Sequence, residues 1–170
     1  MKDERYPIGR FEYPQNILQE DIQYWINDIT SLPSRLKSLT QDLSKEELAY
    51  TYRTGSWTIL QLVHHIVDSH MNGYIRMKMA LTEETPIIKT YEESKWAELN
   101  DYELPIKVSL TLLESLHAKW GYLLENLTTI QLKKQYMYPD ENVMKIEQSI
   151  ALYAWHGNHH LAHIQQALNI

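Results

Sequence analysis

The sequence predicts an all-α protein that folds as a four-helix bundle, in a single domain spanning residues 1–170. Apolar residues recur every three or four positions along four long stretches, which is the period of an amphipathic helix. Glycine and proline number only five and six, which favours a few long helices over many short strands. Four long helices in series imply a bundle, and 170 residues can bury a sizeable core.

The four helices are predicted from periodicity and from start and stop signals. The first is expected over Asn16–Leu43, with a bend or a break at Pro33. The second is expected over Ser56–Glu84, because serine is a good N-cap and Thr85-Pro86 follows. The third is expected over Pro105–Leu127, and the fourth over Ile146–Leu168.

The connecting segments carry weaker signals. Ser44 followed by Glu47 is a capping-box pattern, so a short helix is predicted to begin there. One helical turn is expected near Trp96, in an otherwise irregular segment. The stretch Tyr136–Asn142 is interpreted as a loop.

Composition excludes several classes of function. The net charge is −6 and no dense basic run is present, which argues against a nucleic-acid partner. Cysteine is absent, so disulfides, thiolate nucleophiles and cysteine-ligated metals are excluded. No stretch approaches the roughly 20 apolar residues of a membrane span, and the start lacks the apolar core of a signal peptide. A soluble protein of the cytoplasm, without a membrane partner, is expected.

Histidine is the most informative residue type, because imidazole is the commonest side-chain metal ligand. Of eight histidines, seven lie on the second and fourth predicted helices. Those on the second are His64, His65 and His70. Those on the fourth are His156, His159, His160 and His163, and the remaining one is His117. Two histidines at positions i and i+4 project from the same helical face, close enough to share one ion.

Helical geometry selects one pair on the fourth helix. His160 lies roughly 40° and His156 roughly 80° from the centre of its apolar face, at about 100° per residue. His163 and His159 lie about 100° and 140° away, so His156/His160 is predicted to be the only inward pair. Gly157, between them, leaves room for another helix or a ligand to approach.

The second helix allows two interpretations. A narrow polar strip runs along it, formed by Gln61, His65, Ser69, Asn72 and Arg76, with Asp68 beside it. This strip faces either solvent or a polar pocket inside the bundle, where His65 would complete a three-histidine site. Periodicity does not decide between them. The lone histidines are interpreted as hydrogen-bonded structural or surface residues; they are His70, His117, His159 and His163.

Short motifs along nearly the whole chain resemble the YfiT-type branch of the DinB-like helical-bundle proteins, a family described as candidate metal-dependent hydrolases. The matching stretches are Tyr6–Gly9, Gly55–Thr58, Val63–Asn72, Tyr74–Arg76, Leu81–Pro86, Leu116–Trp120, Tyr138–Asp140 and Tyr153–Ile164. Asn158 stands where the family's last motif has another histidine, at a position that is not a ligand.

The resemblance implies an antiparallel four-helix bundle that assembles as a homodimer. It also implies one divalent metal ion per chain, held by His65, His156 and His160. Two of these ligands coincide with the pair chosen by helical geometry, whereas His65 rests on the resemblance. Imidazole ligands suit several metals, and zinc or nickel is expected.

Three functions are consistent with such a site. The first is a hydrolase in which the metal activates water against a small-molecule substrate. The second is a transferase that moves a low-molecular-weight thiol, of the bacillithiol type, onto an electrophile. The third is a non-catalytic bundle in which the ion only ties two helices together. Asp68 is a candidate base or ligand-orienting residue, but the sequence identifies no catalytic residue and no organic cofactor.

Overall fold

Four long helices form the body of the computed structural model, which describes residues 3–170. In chain order the elements are α1 (Gln19–Thr40), α2 (Lys45–Leu48), α3 (Ile59–Thr82), α4 (Glu93–Trp96), a 3-10 helix (Asn100–Glu103), α5 (Ile106–Glu125), α6 (Thr129–Leu132), β1 (Gln135–Met137), β2 (Val143–Lys145) and α7 (Ile146–Leu168). The predicted all-α four-helix bundle is confirmed. Within residues 3–170, none of the helices combines the length and apolar character that a bilayer crossing requires.

Helix α1 contradicts the predicted break at Pro33, because it runs through this residue as one element. A proline has no N–H to donate to the carbonyl four residues earlier. That carbonyl belongs to Ile29, and it lies 2.6 Å from Nδ1 of His117 on α5. The lost intrahelical bond is therefore replaced by a side chain from the neighbouring helix, which makes the proline tolerable.

The start of α3 also differs from the prediction. Its N-cap is Thr58 rather than Ser56, and the Thr58 side chain accepts a hydrogen bond from the backbone N–H of Gln61. Ser56 instead accepts one from the N–H of Arg53 at 3.3 Å, within the preceding turn. The capping box of Ser44 and Glu47 is confirmed at the start of α2.

The segment predicted as a loop at Tyr136–Asn142 overlaps a small β-hairpin. Strands β1 and β2 are antiparallel, with Tyr136 opposite Met144, and both side chains are fully buried. Strands of three residues are too short to show a period-two pattern in sequence. The hairpin leads directly into α7, whose first N–H, on Ile146, donates to the Lys134 carbonyl.

Helix directions follow from two apolar clusters at opposite ends of the bundle. One contains the N-terminal halves of α1 and α7 and the C-terminal halves of α3 and α5, represented by Ile26, Ile150, Met77 and Trp120. The other contains the opposite halves, represented by Leu36, Ile164, Leu62 and Leu113. Helices α1 and α3 each pack against α5 and α7. The pairs α1/α5 and α3/α7 are therefore antiparallel, whereas α1/α7 and α3/α5 are parallel.

Parallel neighbours require a long return connection, and residues 83–105 provide it between α3 and α5. This crossover covers the polar strip of α3. Gln61 donates to the Ala97 carbonyl at 3.4 Å, and Arg76 donates to the Lys89 carbonyl at 3.0 Å. The strip is thus neither wholly solvent-facing nor wholly interior, since its two buried members are His65 and Ser69.

Close packing of α3 on α7 makes Gly73 a sensitive position, because a Cβ there would overlap the ring of Tyr153. We expect Gly73→Ala to lower the free energy of unfolding by about 1–3 kcal/mol, although glycine-to-alanine changes in a helix usually stabilise. Urea unfolding followed by circular dichroism measures the change. Gly157→Ala is the matched comparison, with a smaller expected loss, since it meets the movable methyl groups of Leu32. Equal stability of Gly73→Ala and the wild type would contradict this packing.

Candidate metal centre

Antiparallel packing of α3 on α7 brings His65 opposite His156 and His160. One ring nitrogen from each lies within 4.8 Å of the other two. The Nε2 atoms of His65 and His156 are 3.2 Å apart. His65 and His160 are buried at 2% and 7% exposure, and His156 is partly buried. All three residues that the sequence and the resemblance selected therefore meet at one point.

Local sequence explains the arrangement on α7. The spacing of four residues puts His156 and His160 on one face, with ring centroids 4.5 Å apart. Gly157 lies between them, and a Cβ there would be 2.7 Å from a Leu32 methyl group of α1. The expectation that this glycine admits another helix is confirmed, and α1 supports α7 directly behind the two imidazoles.

The surroundings of His65 fit a metal ligand better than an ordinary core residue. Its ring packs against Trp57, with centroids 4.6 Å apart. Its Nδ1 is buried and has no hydrogen-bond partner among residues 3–170, while its Nε2 meets only His156. A cation between the two Nε2 atoms would satisfy the lone pairs of both rings, whereas Nδ1 of His65 would not take part in this contact.

The distance between the two imidazoles also suits one ion. Two nitrogens at about 2.0–2.1 Å from a tetrahedral Zn²⁺ lie roughly 3.3 Å apart. The observed Nε2 separation of His65 and His156 is 3.2 Å. The spacing of this pair therefore suits a shared divalent cation, and the third donor, His160, lies within 4.8 Å of both.

Electrostatics favour the neutral form of the three imidazoles, which is the form that binds metal. Burial lowers the pKa of His65 to about 4, and the neighbouring His159 adds to the effect. Burial also lowers the pKa values of His156 and His160 well below the usual range, with further contributions from the surrounding histidines. No proton has to be removed from these residues at neutral pH before a cation binds.

His70 on α3 and His117 on α5 are connected to the three candidate ligands by hydrogen bonds, a connection that helical periodicity did not reveal. His70 Nε2 lies 3.2 Å from His156 Nδ1, and His70 Nδ1 lies 3.0 Å from His117 Nε2. Both side chains are fully or almost fully buried, and Trp120 contacts both rings edge-on. They are hydrogen-bonded as predicted. Their link to the metal candidates comes from the parallel packing of α3 and α5.

His159 and His163 contradict the prediction that only one histidine pair of α7 is inward, because both are buried. The N-terminal segment covers them. His163 Nε2 donates to the Arg5 carbonyl at 3.2 Å, and its ring stacks on Tyr52 with centroids 3.8 Å apart. The angle around α7 describes how a side chain faces the other helices, whereas chain outside the helices also buries a helix face.

A second set of three histidines shares His160 and includes His159 and His163, whose nitrogens also lie within 4.8 Å of one another. It is the weaker candidate, because both nitrogens of His163 already have partners. They are the Arg5 carbonyl and Nδ1 of His160. Binding a cation there would break these contacts, so His65, His156 and His160 are the stronger candidate set.

Two polar residues of α3 near the site have partners elsewhere. His64 Nδ1 lies 2.7 Å from the Ser109 hydroxyl, and its Nε2 lies 3.0 Å from the Leu104 carbonyl. Asp68 accepts a hydrogen bond from the Tyr102 hydroxyl at 2.7 Å. Since His65 Nδ1 has no partner in the described chain, Asp68 does not orient this ligand through a hydrogen bond.

Two surface cavities lie apart from the three candidate metal ligands. A cavity of about 520 Å³ between α1 and α5 has His117 in its wall, and another of about 590 Å³ runs between α1 and α7. Neither is lined by His65, His156 or His160. We place the functional site by its donor chemistry, because cavity size alone selects surfaces without convergent polar groups.

Comparison with known proteins agrees with this fold. The sequence profile of the DinB superfamily matches residues 28–164. The chain belongs to the DinB superfamily. Within this superfamily it is 66% identical over 166 residues to a protein of Halalkalibacterium halodurans, covering 98% of this chain and 97% of that one. It is 49% identical over 162 residues to a protein of Oceanobacillus iheyensis, covering 95% and 94%. Both relatives are provisionally named metal-dependent hydrolases.

Two solved structures show how far the DinB-superfamily likeness extends. YfiT from Bacillus subtilis, described as a probable metal-dependent hydrolase with an unusual four-helix bundle topology, matches with a TM-score of 0.94 and 40% identity. The match covers 98% of this chain and 96% of YfiT. The mycothiol-dependent maleylpyruvate isomerase matches with a TM-score of 0.67 and 13% identity, over 84% of this chain and 60% of the isomerase. This second likeness shows a shared fold alone.

Buried neutral histidines make the stability of the metal-free protein depend on pH. Burial lowers the pKa of His117 from 6.5 to about 4, so the unfolded chain takes up a proton at a higher pH than the folded one. The stabilising contribution of His117 is complete above pH 6.5 and falls as the pH drops towards 4. We expect this residue to account for a loss of about 3 kcal/mol, measured by urea unfolding across this range.

His117→Gln is the matched control, because glutamine is polar but does not titrate. Its unfolding free energy should decline less steeply between pH 6.5 and 4 than that of the wild type. Identical slopes for the two proteins would show that His117 is not held neutral by burial.

Proposed function

We propose that this protein is a metal-dependent hydrolase that binds one divalent ion through His65, His156 and His160 and acts on a small-molecule substrate. The observation that carries the proposal is the convergence of three imidazoles from two helices, two of them buried and one partly buried, all with lowered pKa values. Relatives covered over almost their whole length, and provisionally named metal-dependent hydrolases, support the same function.

Three histidine ligands are typical of catalytic rather than closed structural sites, because they leave a coordination position open for water or substrate. A divalent ion bound there would lower the pKa of water or polarise a substrate oxygen. All-imidazole ligation suits zinc or nickel, and we propose one of these as the ion.

The chain itself supplies orientation and exclusion of water. His156 and His160 are held at a fixed spacing by α7, and α1 packs behind them at Gly157. Trp57 covers the ring of His65, which limits the access of bulk water from that side. These residues position the donors before any ion or substrate arrives, which is the arrangement that catalysis requires.

A thiol S-transferase is the second candidate. The chain contains no cysteine, so a thiol would have to enter as a small-molecule co-substrate such as bacillithiol. The fold likeness to an isomerase whose description includes mycothiol dependence is compatible with this reaction. The homodimer implied by the family resemblance stays a prediction, as does the absence of a nucleic-acid partner inferred from the charge of −6.

Replacement of any proposed ligand by alanine should remove the metal. We expect His65→Ala, His156→Ala and His160→Ala each to reduce Zn²⁺ affinity by more than about 100-fold, since changes next to a ligand already cost about 10–100-fold. Elemental analysis after purification without added metal, followed by titration against a chelator, measures the effect. His64→Ala is the control, because this neighbouring buried histidine has partners outside the site. Full metal content in the three ligand variants would contradict the assignment.

A substrate panel separates the candidate functions. Metal-loaded protein is expected to hydrolyse at least one member of a set of esters, amides and phosphoesters, with turnover abolished in His160→Ala. Conjugation of a thiol to a chlorinated or epoxide acceptor, without hydrolysis of any panel member, would contradict the hydrolase proposal and support the transferase. If His160→Ala loses thermal stability and the wild type is inactive in both assays, the metal has a structural role and the protein is a non-catalytic bundle.

A further inference from the structure

We propose that two hydrogen-bonded chains of histidines, each anchored on a backbone carbonyl, determine which nitrogen of His156 and of His160 faces the metal. His70, His117 and His163 are then positioning residues for the ligands. This inference deepens the proposed function and rests on it, because it concerns how the same three-histidine site is prepared.

The first chain begins at the Ile29 carbonyl, which can only accept a hydrogen bond. His117 Nδ1 lies 2.6 Å from this oxygen and must therefore carry the proton. A neutral imidazole has a single N–H, so His117 Nε2 is an acceptor. Its partner at 3.0 Å is His70 Nδ1, which consequently is the donor.

The first histidine chain continues from His70 to His156, a candidate metal ligand. With its proton on Nδ1, His70 has a lone pair on Nε2, which lies 3.2 Å from His156 Nδ1. His156 must donate this hydrogen bond, so its own proton is on Nδ1. The lone pair of His156 is then on Nε2, the atom that lies 3.2 Å from His65 Nε2.

Pro33 makes the anchor of this chain available. In a regular helix the Ile29 carbonyl would accept the N–H of residue 33, but proline has none. The oxygen is therefore free to accept from His117 alone, and the short distance of 2.6 Å is consistent with this. Proline is disfavoured inside a helix, but here Pro33 supports the candidate metal centre through Ile29, His117 and His70.

The second chain reaches His160 from the N-terminal segment. His163 Nε2 lies 3.2 Å from the Arg5 carbonyl and must be its donor, which leaves His163 Nδ1 as an acceptor. Nδ1 of His160 lies 3.4 Å from that acceptor and supplies the proton. The lone pair of His160 is therefore on Nε2 as well.

Both chains require neutral rings, and burial provides this condition. The exposed fractions of His70, His117 and His163 are 0%, 2% and 2%, and a charged imidazole is disfavoured where water is excluded. A neutral ring has two tautomers, which differ in the nitrogen that carries the proton. Free histidine in water favours the proton on Nε2, which would block the nitrogen that faces the site. The chains hold His156 and His160 in the opposite tautomer and fix the planes of their rings, as outer partners of metal ligands do.

Long-range ¹H–¹⁵N NMR of the ¹⁵N-labelled full chain reads the tautomers directly. In metal-free protein at pH 7, we expect protons on Nδ1 of His70, His117, His156 and His160, and on Nε2 of His163. After addition of Zn²⁺, His156 and His160 should bind through Nε2 and retain the Nδ1 protons. Protons on Nε2 of His156 and His160 in the metal-free protein, or ligation through Nδ1, would overturn the proposal.

Substitution of His70 tests the effect on affinity. We expect His70→Leu to weaken Zn²⁺ binding by about 10–100-fold, while His70→Gln, whose side-chain oxygen can accept from His156 Nδ1, recovers most of the loss. His64→Leu is the matched control, because it removes another buried histidine of α3 that is not part of the hydrogen-bonded histidine chain, and its affinity should equal that of the wild type. Equal losses of Zn²⁺ affinity in His70→Leu and His64→Leu, or no loss in His70→Leu, would show that the histidine chain contributes only packing and does not position the ligands.

The two measurements separate this inference from the proposed function. If wild-type protein binds no metal, the proposed function fails, yet the metal-free tautomers still show whether the chains exist. If metal binding is lost in His156→Ala but unaffected in His70→Leu, the site stands and the positioning role fails. Should His70→Leu not fold, the tautomers of the wild-type protein decide the question alone.

Discussion

Imidazole rings buried between α3 and α7 impose the constraint on which the rest of this structure depends. Each neutral ring brings one hydrogen-bond donor and one acceptor into a region without bulk water, where an unpaired polar group costs about 1–3 kcal/mol. The protein pairs the donors by ending two chains on the carbonyls of Ile29 and Arg5. The acceptors that remain, on His156 and His160, converge with His65, and a divalent cation is the partner that would satisfy them together.

The topology of the bundle makes this pairing possible. Parallel packing of α3 and α5 puts His70 and His117 at the same level, and antiparallel packing of α5 on α1 puts Ile29 opposite His117. Antiparallel packing of α3 on α7 then adds His156 to the same row. Parallel neighbours require the long crossover of residues 83–105, and this segment in turn covers the polar strip of α3. The order of the helices and the buried row of histidines therefore depend on each other.

Membership of the DinB superfamily and a TM-score of 0.94 to YfiT establish the fold. The three ligand candidates lie on long helices rather than on loops. Helices hold functional side chains in more precise positions than loops do. Residues away from the candidate ligands, such as His117 and Pro33, contribute by the hydrogen bonds that connect them to these helices.

The sequence by itself determined the features that depend on local periodicity and on residue chemistry. These are the four long helices, the capping box at Ser44 and the span of α7. Only the tertiary structure decided the features that depend on which elements meet. It showed the small hairpin at residues 135–145, the burial of His163 under the N-terminal segment, and the partnership of His70 with His117. A helical pattern records which way a side chain points, but the partner it meets is set by the packing of distant segments, which no single stretch of sequence encodes.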